Sequence, residues 1–222
     1  PMHTFGHPAE IDALAKICDT WGIALVEDSA ESLGSTFKGK SLGTFGQYGA
    51  LSFNGNKIIT TGGGGAILCK SETAYKKIKH FTTTAKVPHR FEFFHDEVAC
   101  NFRMPNLNAA LGCAQLTQLD KFTTNKRELA SVYEEFFSEQ PYTFVKEPEG
   151  CVSNYWLNAI ICKDEKQRNS LLSSSNDAGI MLRPVWTPMH LLPMYAKSIR
   201  APLDNTEWLA KRLVNLPSSV RG

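Results

Sequence analysis

The sequence contains no run of about 18 apolar residues, so no part of it reads as a membrane-spanning helix. Its opening, Pro1-Met2-His3, lacks the basic, apolar and small-residue succession of a secretion signal. Charge of one sign is scarce. The 24 Lys and Arg stand against 22 Asp and Glu, a net +2, with no basic block and no basic patch interleaved with aromatics. That removes the usual grounds for nucleic-acid binding. The six cysteines, at 18, 69, 100, 113, 151 and 162, never fall at CxxC spacing. Buried free thiols in a reducing cytoplasm are the simpler reading than disulfides, and no metal site is expected. GxGxxG does not occur, and although Gly34-Ser-Thr-Phe-Lys-Gly-Lys-Ser41 fits the pattern GxxxxGK[ST], it lies in a glycine-rich stretch that reads as a loop or short hairpin rather than a strand-to-helix turn, which counts against a protein that cradles a nucleotide in a phosphate loop. There is no internal repeat and no low-complexity segment.

What is present is a chain of 222 residues, 42% hydrophobic, enough for a sizeable core and a small second domain. Its most informative position is Lys57, in Ser52-Phe-Asn-Gly-Asn-Lys-Ile-Ile-Thr-Thr-Gly-Gly-Gly-Gly65. Upstream, Val26-Glu-Asp-Ser-Ala-Glu31 closes an apolar stretch with acids. Separately these are ordinary: a loop lysine in solvent, a glycine turn, a strand-ending or capping aspartate. Together, in this order, they are what a pyridoxal-phosphate (PLP) enzyme needs. A lysine amine forms a Schiff base with the cofactor aldehyde, and an aspartate keeps the pyridine nitrogen protonated so that the ring accepts electrons.

Periodicity sketches the elements around these motifs. Pro8 to Thr20 predicts a helix with Ile11, Leu14, Ile17 and Cys18 on one face, broken by Gly22. Ile23 to Val26 predicts a buried parallel strand with Asp28 just past its end, where open α/β sheets hold ligands. Residues 34–49, rich in glycine, predict a loop or short hairpin, and Ala50 to Phe53 and Gly65 to Cys69 predict strands. Ser71 caps a helix running to about Phe81, and a polar, aromatic loop follows over 82–94. Pro105 opens a helix, or a broken pair, reaching Phe137, with Leu107, Leu111, Ala114 and Gln118 along one stripe. Beyond it, Tyr155 to Cys162 and Ile180 to Val185 predict strands flanking a helix that Asp164 caps and Gly179 ends. Asp204-x-x-Glu207 predicts a capping box for a final helix through Trp208, Leu209 and Leu213.

The segment VEDSAESLGSTFKGKSLGTFGQYGALSFNGNKIITTGGGGAIL resembles the core of the DegT-type sugar aminotransferases, PLP enzymes that aminate keto-sugars attached to nucleotides. Asn101-Phe-Arg-Met-Pro-Asn-Leu-Asn-Ala-Ala-Leu-Gly-Cys-Ala-Gln-Leu-Thr-Gln-Leu-Asp120 and Arg212-Leu-Val-Asn-Leu-Pro-Ser-Ser219 are similar to further stretches of that family. The resemblance implies an α/β fold, the aspartate aminotransferase-like fold type I with a three-layer mixed sheet, truncated at its N-terminus. Residues 1–137 would be the C-terminal part of the large PLP-binding domain and 138–222 a small α+β domain. The start of the family chain, with its phosphate loop and ring-stacking aromatic, is expected to be missing.

The resemblance also implies roles. Lys57 holds PLP and shuttles the proton; Asp28 pairs with the ring nitrogen; Ala30 packs on the ring. Glu31 stands near the phenolic oxygen, where many members carry Gln or His, and Ser52 bonds the phosphate. Asn101 reaches the partner subunit's cofactor, so a homodimer with shared sites is expected. Asn54-Gly55-Asn56 departs from the commoner residues before the lysine, while family members that became dehydratases carry His in place of the lysine. Trp186 and His190, in Arg183-Pro-Val-Trp-Thr-Pro-Met-His190, are candidates to border the nucleotide-sugar, with plain packing as the alternative. That stretch resembles enzymes acting on UDP-2-acetamido-4-keto-6-deoxyhexoses. The expected activity is transfer of an amino group, from glutamate, to such a sugar in surface polysaccharide biosynthesis in the cytoplasm. The alternatives are a catalytically incomplete fragment and a non-aminating PLP enzyme of the same fold.

Overall fold

The computed structural model describes residues 1–221. In chain order the elements are α1 (Ile11–Trp21), β1 (Val26–Asp28), β2 (Thr36–Phe37), β3 (Lys40–Ser41), β4 (Tyr48–Ser52), β5 (Gly65–Cys69) and α2 (Glu72–Thr82). There follow β6 (Lys86–Val87), β7 (Phe94–His95), α3 (Asn106–Leu116), α4 (Leu119–Phe137), β8 (Thr143–Phe144) and β9 (Cys151–Val152). The last are β10 (Asn158–Ile161), α5 (Glu165–Asp177), β11 (Arg183–Pro184), α6 (Asp204–Ala210) and β12 (Leu213–Leu216). They group into two compact units, Pro1–Thr123 with Pro148–Asn154, and Thr124–Glu147 with Tyr155–Gly222.

The first unit is built on a mixed sheet in the order β1-β4-β5. β1 runs parallel to β4, with Val26, Glu27 and Asp28 opposite Tyr48, Gly49 and Ala50. β5 returns antiparallel to β4. α1 covers it through Ile11, fully buried among Leu25, Phe37, Leu42 and Cys151. Gly22, at φ 62°, ends α1 and donates to the Asp19 and Cys18 carbonyls, a left-handed cap that glycine adopts without strain. The helix starts three residues later than its periodicity predicts, so Pro8 precedes it. The strand is likewise displaced: Gln47 and Leu25 bond each other ahead of the ladder, and Asp28 becomes the last strand residue rather than the one beyond it.

Local chemistry accounts for the rest of this unit. The Ser71 hydroxyl accepts from the Ala74 amide at 3.0 Å and so caps α2. The glycine-rich stretch over 34–49 holds the β2–β3 hairpin, with β9 paired beside it. The stretch predicted as loop over 82–94 carries β6 and the first residue of its partner β7. α3 and α4 are a broken pair, interrupted at Thr117 and Gln118.

The second unit has a four-stranded antiparallel sheet, β11-β12-β10-β8. Ile160 and Val214, both fully buried, sit opposite each other and centre a core with Phe144, Tyr155, Cys162 and Leu216. Burying each such aliphatic side chain contributes about 2 kcal/mol. Asp164 caps α5 by accepting from the Gln167 amide at 2.8 Å. Two expectations fail here. No capping box forms at Asp204-x-x-Glu207: Leu203 is the cap residue and Glu207 instead meets His190. Leu213 belongs not to that helix but to β12, whose four residues are all buried.

Of the six cysteines, none of which is bridged, Cys151 and Cys162 are buried, three are half-buried and Cys113 is exposed. No helix among the described residues is long and apolar enough to cross a membrane.

Candidate active site

Beneath β1 lies a buried polar brace. Along a strand successive side chains alternate faces, so Glu27 points inward while Val26 and Asp28 point outward. Glu27 is fully buried and accepts from the Gly43 and Gly46 amides at 2.8 and 2.6 Å and from His3 Nε2 at 3.0 Å. His3 Nδ1 accepts from the Ala9 amide, which leaves its proton on Nε2 in the neutral ring. Burial works against the Glu27 carboxylate, yet the hydrogen bonds from His3, Gly46 and Gly43 outweigh it and hold the pKa below its ordinary 4.5. The brace fixes the end of β1 and the turn that crosses it.

On the opposite face of the sheet, Asp28 ends β1 beside Ala50, and Ser52, two residues on from Ala50, ends β4 on that same face. The Asp28 carboxylate also accepts from the Ala30 amide at 3.1 Å, turning the chain so that Glu31 comes back toward the sheet end. Glu31 is buried. Its Oε2 accepts from the Phe5 amide at 2.8 Å, and its Oε1 lies 3.9 Å from Lys57 Nζ. Burial pushes the Glu31 carboxyl above its ordinary range; the Phe5 amide and Lys57 pull it back, and the Asp28 charge adds to the rise.

Lys57 rides on the loop over 53–64, which joins the antiparallel pair β4 and β5. Ile58 and Ile59 are buried and anchor it from below. The Phe53 amide bonds the Gly64 carbonyl at 2.9 Å, and the Thr61 amide bonds the Phe53 carbonyl at 3.0 Å, which closes the loop on itself. Gly62 and Gly64 take φ of 79° and 105°, which side-chain-bearing residues rarely adopt. α3 holds the loop from outside: Asn108 donates to the Thr61 carbonyl, and Gln115 accepts from the Thr60 amide at 3.3 Å.

The helix face that makes these bonds is Asn108, Gly112 and Gln115, spaced four and three residues apart. The predicted stripe is therefore corrected: Leu107 and Leu111 are exposed. A Cβ at Gly112 would come 2.9 Å from the Thr61 methyl group, so the small residue sets how closely α3 approaches.

Thus Asp28 and Ser52 share one sheet face, and Lys57 and Glu31 meet beside Asp28. Asn101 stands apart, exposed, in an isolated antiparallel bridge with Thr83. Trp186 and His190 belong to the second unit. Trp186 stacks on Trp156 at a centroid distance of 6.1 Å, and His190 Nε2 meets Glu207 at 3.0 Å. Sequence reasoning missed His3, Glu27, Asn108 and Gln115, and also Asn154, which donates to the Glu31 and Leu33 carbonyls at 2.9 Å and braces the turn behind Glu31. Apart from these, a hollow of ≈ 820 Å³ lies along Ala50, Gly65, Ile67, Tyr75, Phe102 and Met104. Among the described residues no group of three or more His, Cys, Asp or Glu side chains is arranged to hold a metal ion.

The Lys57 amine and the buried Glu31 carboxylate thus lie at the carboxyl ends of the parallel strands β1 and β4, the place where open α/β sheets hold their ligands. Residues 1–221 match the DegT/DnrJ/EryC1/StrS aminotransferase family, and the chain belongs to it. It is 36% identical over 218 residues to the GDP-perosamine synthase of Escherichia coli O157:H7, covering 98% of this chain and 59% of that protein. It is 34% identical over 222 residues to the putative pyridoxal phosphate-dependent aminotransferase EpsN of Bacillus subtilis (strain 168), covering 98% of this chain and 57% of the relative. The structure of the aminotransferase TlmJ from Streptoalloteichus hindustanus superposes with a TM-score of 0.92 at 26% identity, over 98% of this chain and 59% of that one. The fold is accordingly the type I fold of PLP-dependent aminotransferases. The chain spans less than two thirds of the length of these relatives.

Proposed function

We propose that this chain carries the lysine-bearing part of a PLP-dependent aminotransferase that transfers an amino group, from glutamate, to a 4-keto nucleotide-sugar. One observation carries the reading: the family match runs over residues 1–221, and in it Lys57 keeps its amine 3.9 Å from Glu31 at the end of β1. The donor set fits PLP. Lys57 offers an amine to the aldehyde, Asp28 a carboxylate to the pyridine nitrogen, and Ser52 a hydroxyl to the phosphate. Bound PLP supplies an electron sink for the carbon from which a proton is removed. Lys57 would take that proton and return it one position away, and the loop closed by Phe53, Thr61 and Gly64 holds the amine for both steps.

Ala30 and Glu31 are proposed to line the cofactor, Asn101 to reach the cofactor of a second copy across a homodimer, and Trp186 and His190 to border the sugar nucleotide. Residues 1–137 and 138–222 would divide the work between cofactor binding and a smaller α+β part. Surface polysaccharide biosynthesis in the cytoplasm suits this substrate class. For the nucleotide, the Arg183 to His190 stretch favours a UDP-2-acetamido-4-keto-6-deoxyhexose, whereas the name of the Escherichia coli relative favours a GDP-sugar. Offering the full-length protein UDP- and GDP-linked keto-sugars with glutamate and PLP, and weighing products by mass spectrometry, decides between them. No amino-sugar from either panel would sink the proposal.

A further inference from the structure

Glu31 is held in a way that leaves one oxygen for a task. Its Oε2 is tied down at 2.8 Å by the amide of Phe5, a buried residue whose own φ of 61° lies in the left-handed region. Its backbone carbonyl is tied down as well, at 2.9 Å, by Asn154. Oε1 faces Lys57 Nζ at 3.9 Å, and only 13% of the lysine side chain and 9% of the glutamate side chain are open to solvent. Two charges this far from water interact far more strongly than a surface pair. The gap to hydrogen-bond contact is about 1 Å, within reach of one torsion of a flexible lysine stem.

From this geometry we infer that Glu31 is the proton partner of Lys57: when the amine must act as a nucleophile, the proton on Nζ passes to Glu31 Oε1, and the ion pair becomes a neutral amine beside a neutral carboxyl. The transfer conserves charge and needs no third reactant. It deepens the proposed function and rests on it for the need of a neutral amine.

The groups facing Glu31 are consistent with such a role. Lys57 faces it from the loop, Asp28 from the end of β1, and the Phe5 amide from the N-terminal turn. Burial, and then the Asp28 charge, make the carboxyl a readier proton acceptor than a surface glutamate, against the pull of Phe5 and Lys57. A glutamine in its place could still accept the Phe5 amide but could not take a proton.

The test reads Lys57 directly, in full-length protein stripped of PLP. Acylation of Lys57 by acetic anhydride is followed against pH, peptide by peptide, by mass spectrometry. Removing the neighbouring anion in Glu31→Gln should lower the pH midpoint of Lys57 acylation by about one unit. A midpoint that stays put or rises overturns the pairing. Should Glu31→Gln fail to fold, a ¹³C NMR titration of the Glu31 carboxyl in Lys57→Met decides instead: its midpoint should rise by about one unit, and no rise overturns the inference. Neither readout involves PLP. A protein that shows the coupling but takes up no PLP leaves the pairing standing and overturns the proposed function.

Discussion

At Lys57 the chain places one amine among buried neighbours, and its removal is the sharpest single change. In the full-length protein, Lys57→Ala should abolish the PLP adduct that borohydride traps, together with turnover; an adduct at wild-type level in the variant would show the assignment wrong. Asp28→Asn keeps shape and removes a charge, so turnover at saturating PLP should fall by about 10² or more, with a smaller loss of cofactor affinity. Lys126 gives a prediction of another kind. It is buried in the second unit, donates to the Ser218 carbonyl, and burial lowers its pKa from 10.5 to about 8. Between those values the unfolded chain binds the proton and the folded chain does not, so stability contributed at this position rises with pH across the window. Comparing urea midpoints of wild type and Lys126→Met, the wild type should gain up to about 3 kcal/mol relative to the variant from the lower to the upper end. Lys57 and Asp28 stand out in the sequence as candidates because each sits in a local run whose chemistry is written by its neighbours. Glu27 and His3 were not: they lie 24 residues apart, and their bond exists only once β1 has folded over the N-terminal turn.

Among the elements, the sheet of the first unit depends on glycines that let backbones touch. A Cβ at Gly49 on β4 would stand 2.2 Å from the Gly43 carbonyl oxygen, a backbone atom that cannot swing aside. Gly49→Ala should therefore cost about 2–3 kcal/mol in denaturant unfolding, whereas Gly55→Ala, with open space around it, should stay within about 0.5 kcal/mol. Equal costs would discount the close approach. The 65–69 strand and the Ser71-capped helix were readable because continuous apolar residues and a capping side chain are local signals. β12 was not, because Leu213 continues the helical spacing of Trp208 and Leu209, and only pairing with β10 and β11 on its two sides makes it a strand. The inner face of α3 was hidden for a related reason. Its contacts to the lysine loop are made by Asn108 and Gln115, while the apolar residues that periodicity favours face outward.

For the molecule as a whole, the α/β class and the family were legible because two central motifs stand in fixed order. The residues outside those motifs were not, because their neighbours are set by packing. In the first unit Val26, Ile67, Tyr75 and Phe102 leave half or more of their surface exposed, and three of them border the ≈ 820 Å³ hollow. Exposed apolar area of this kind promotes association. Expressed by itself, the 222-residue chain should enhance the fluorescence of a hydrophobic dye and sediment as more than a monomer. A monomer that leaves the dye dark would count against it. The order of strands in the second unit has a further consequence, for synthesis. A ribosome delivers β8, β10, α5 and β11 before β12, yet β10 and β11 meet only through β12. The nascent chain must keep β11 without its strand partner until Leu213–Leu216 are made, so a stop codon at Arg212 would remove the middle of that sheet rather than trim its edge.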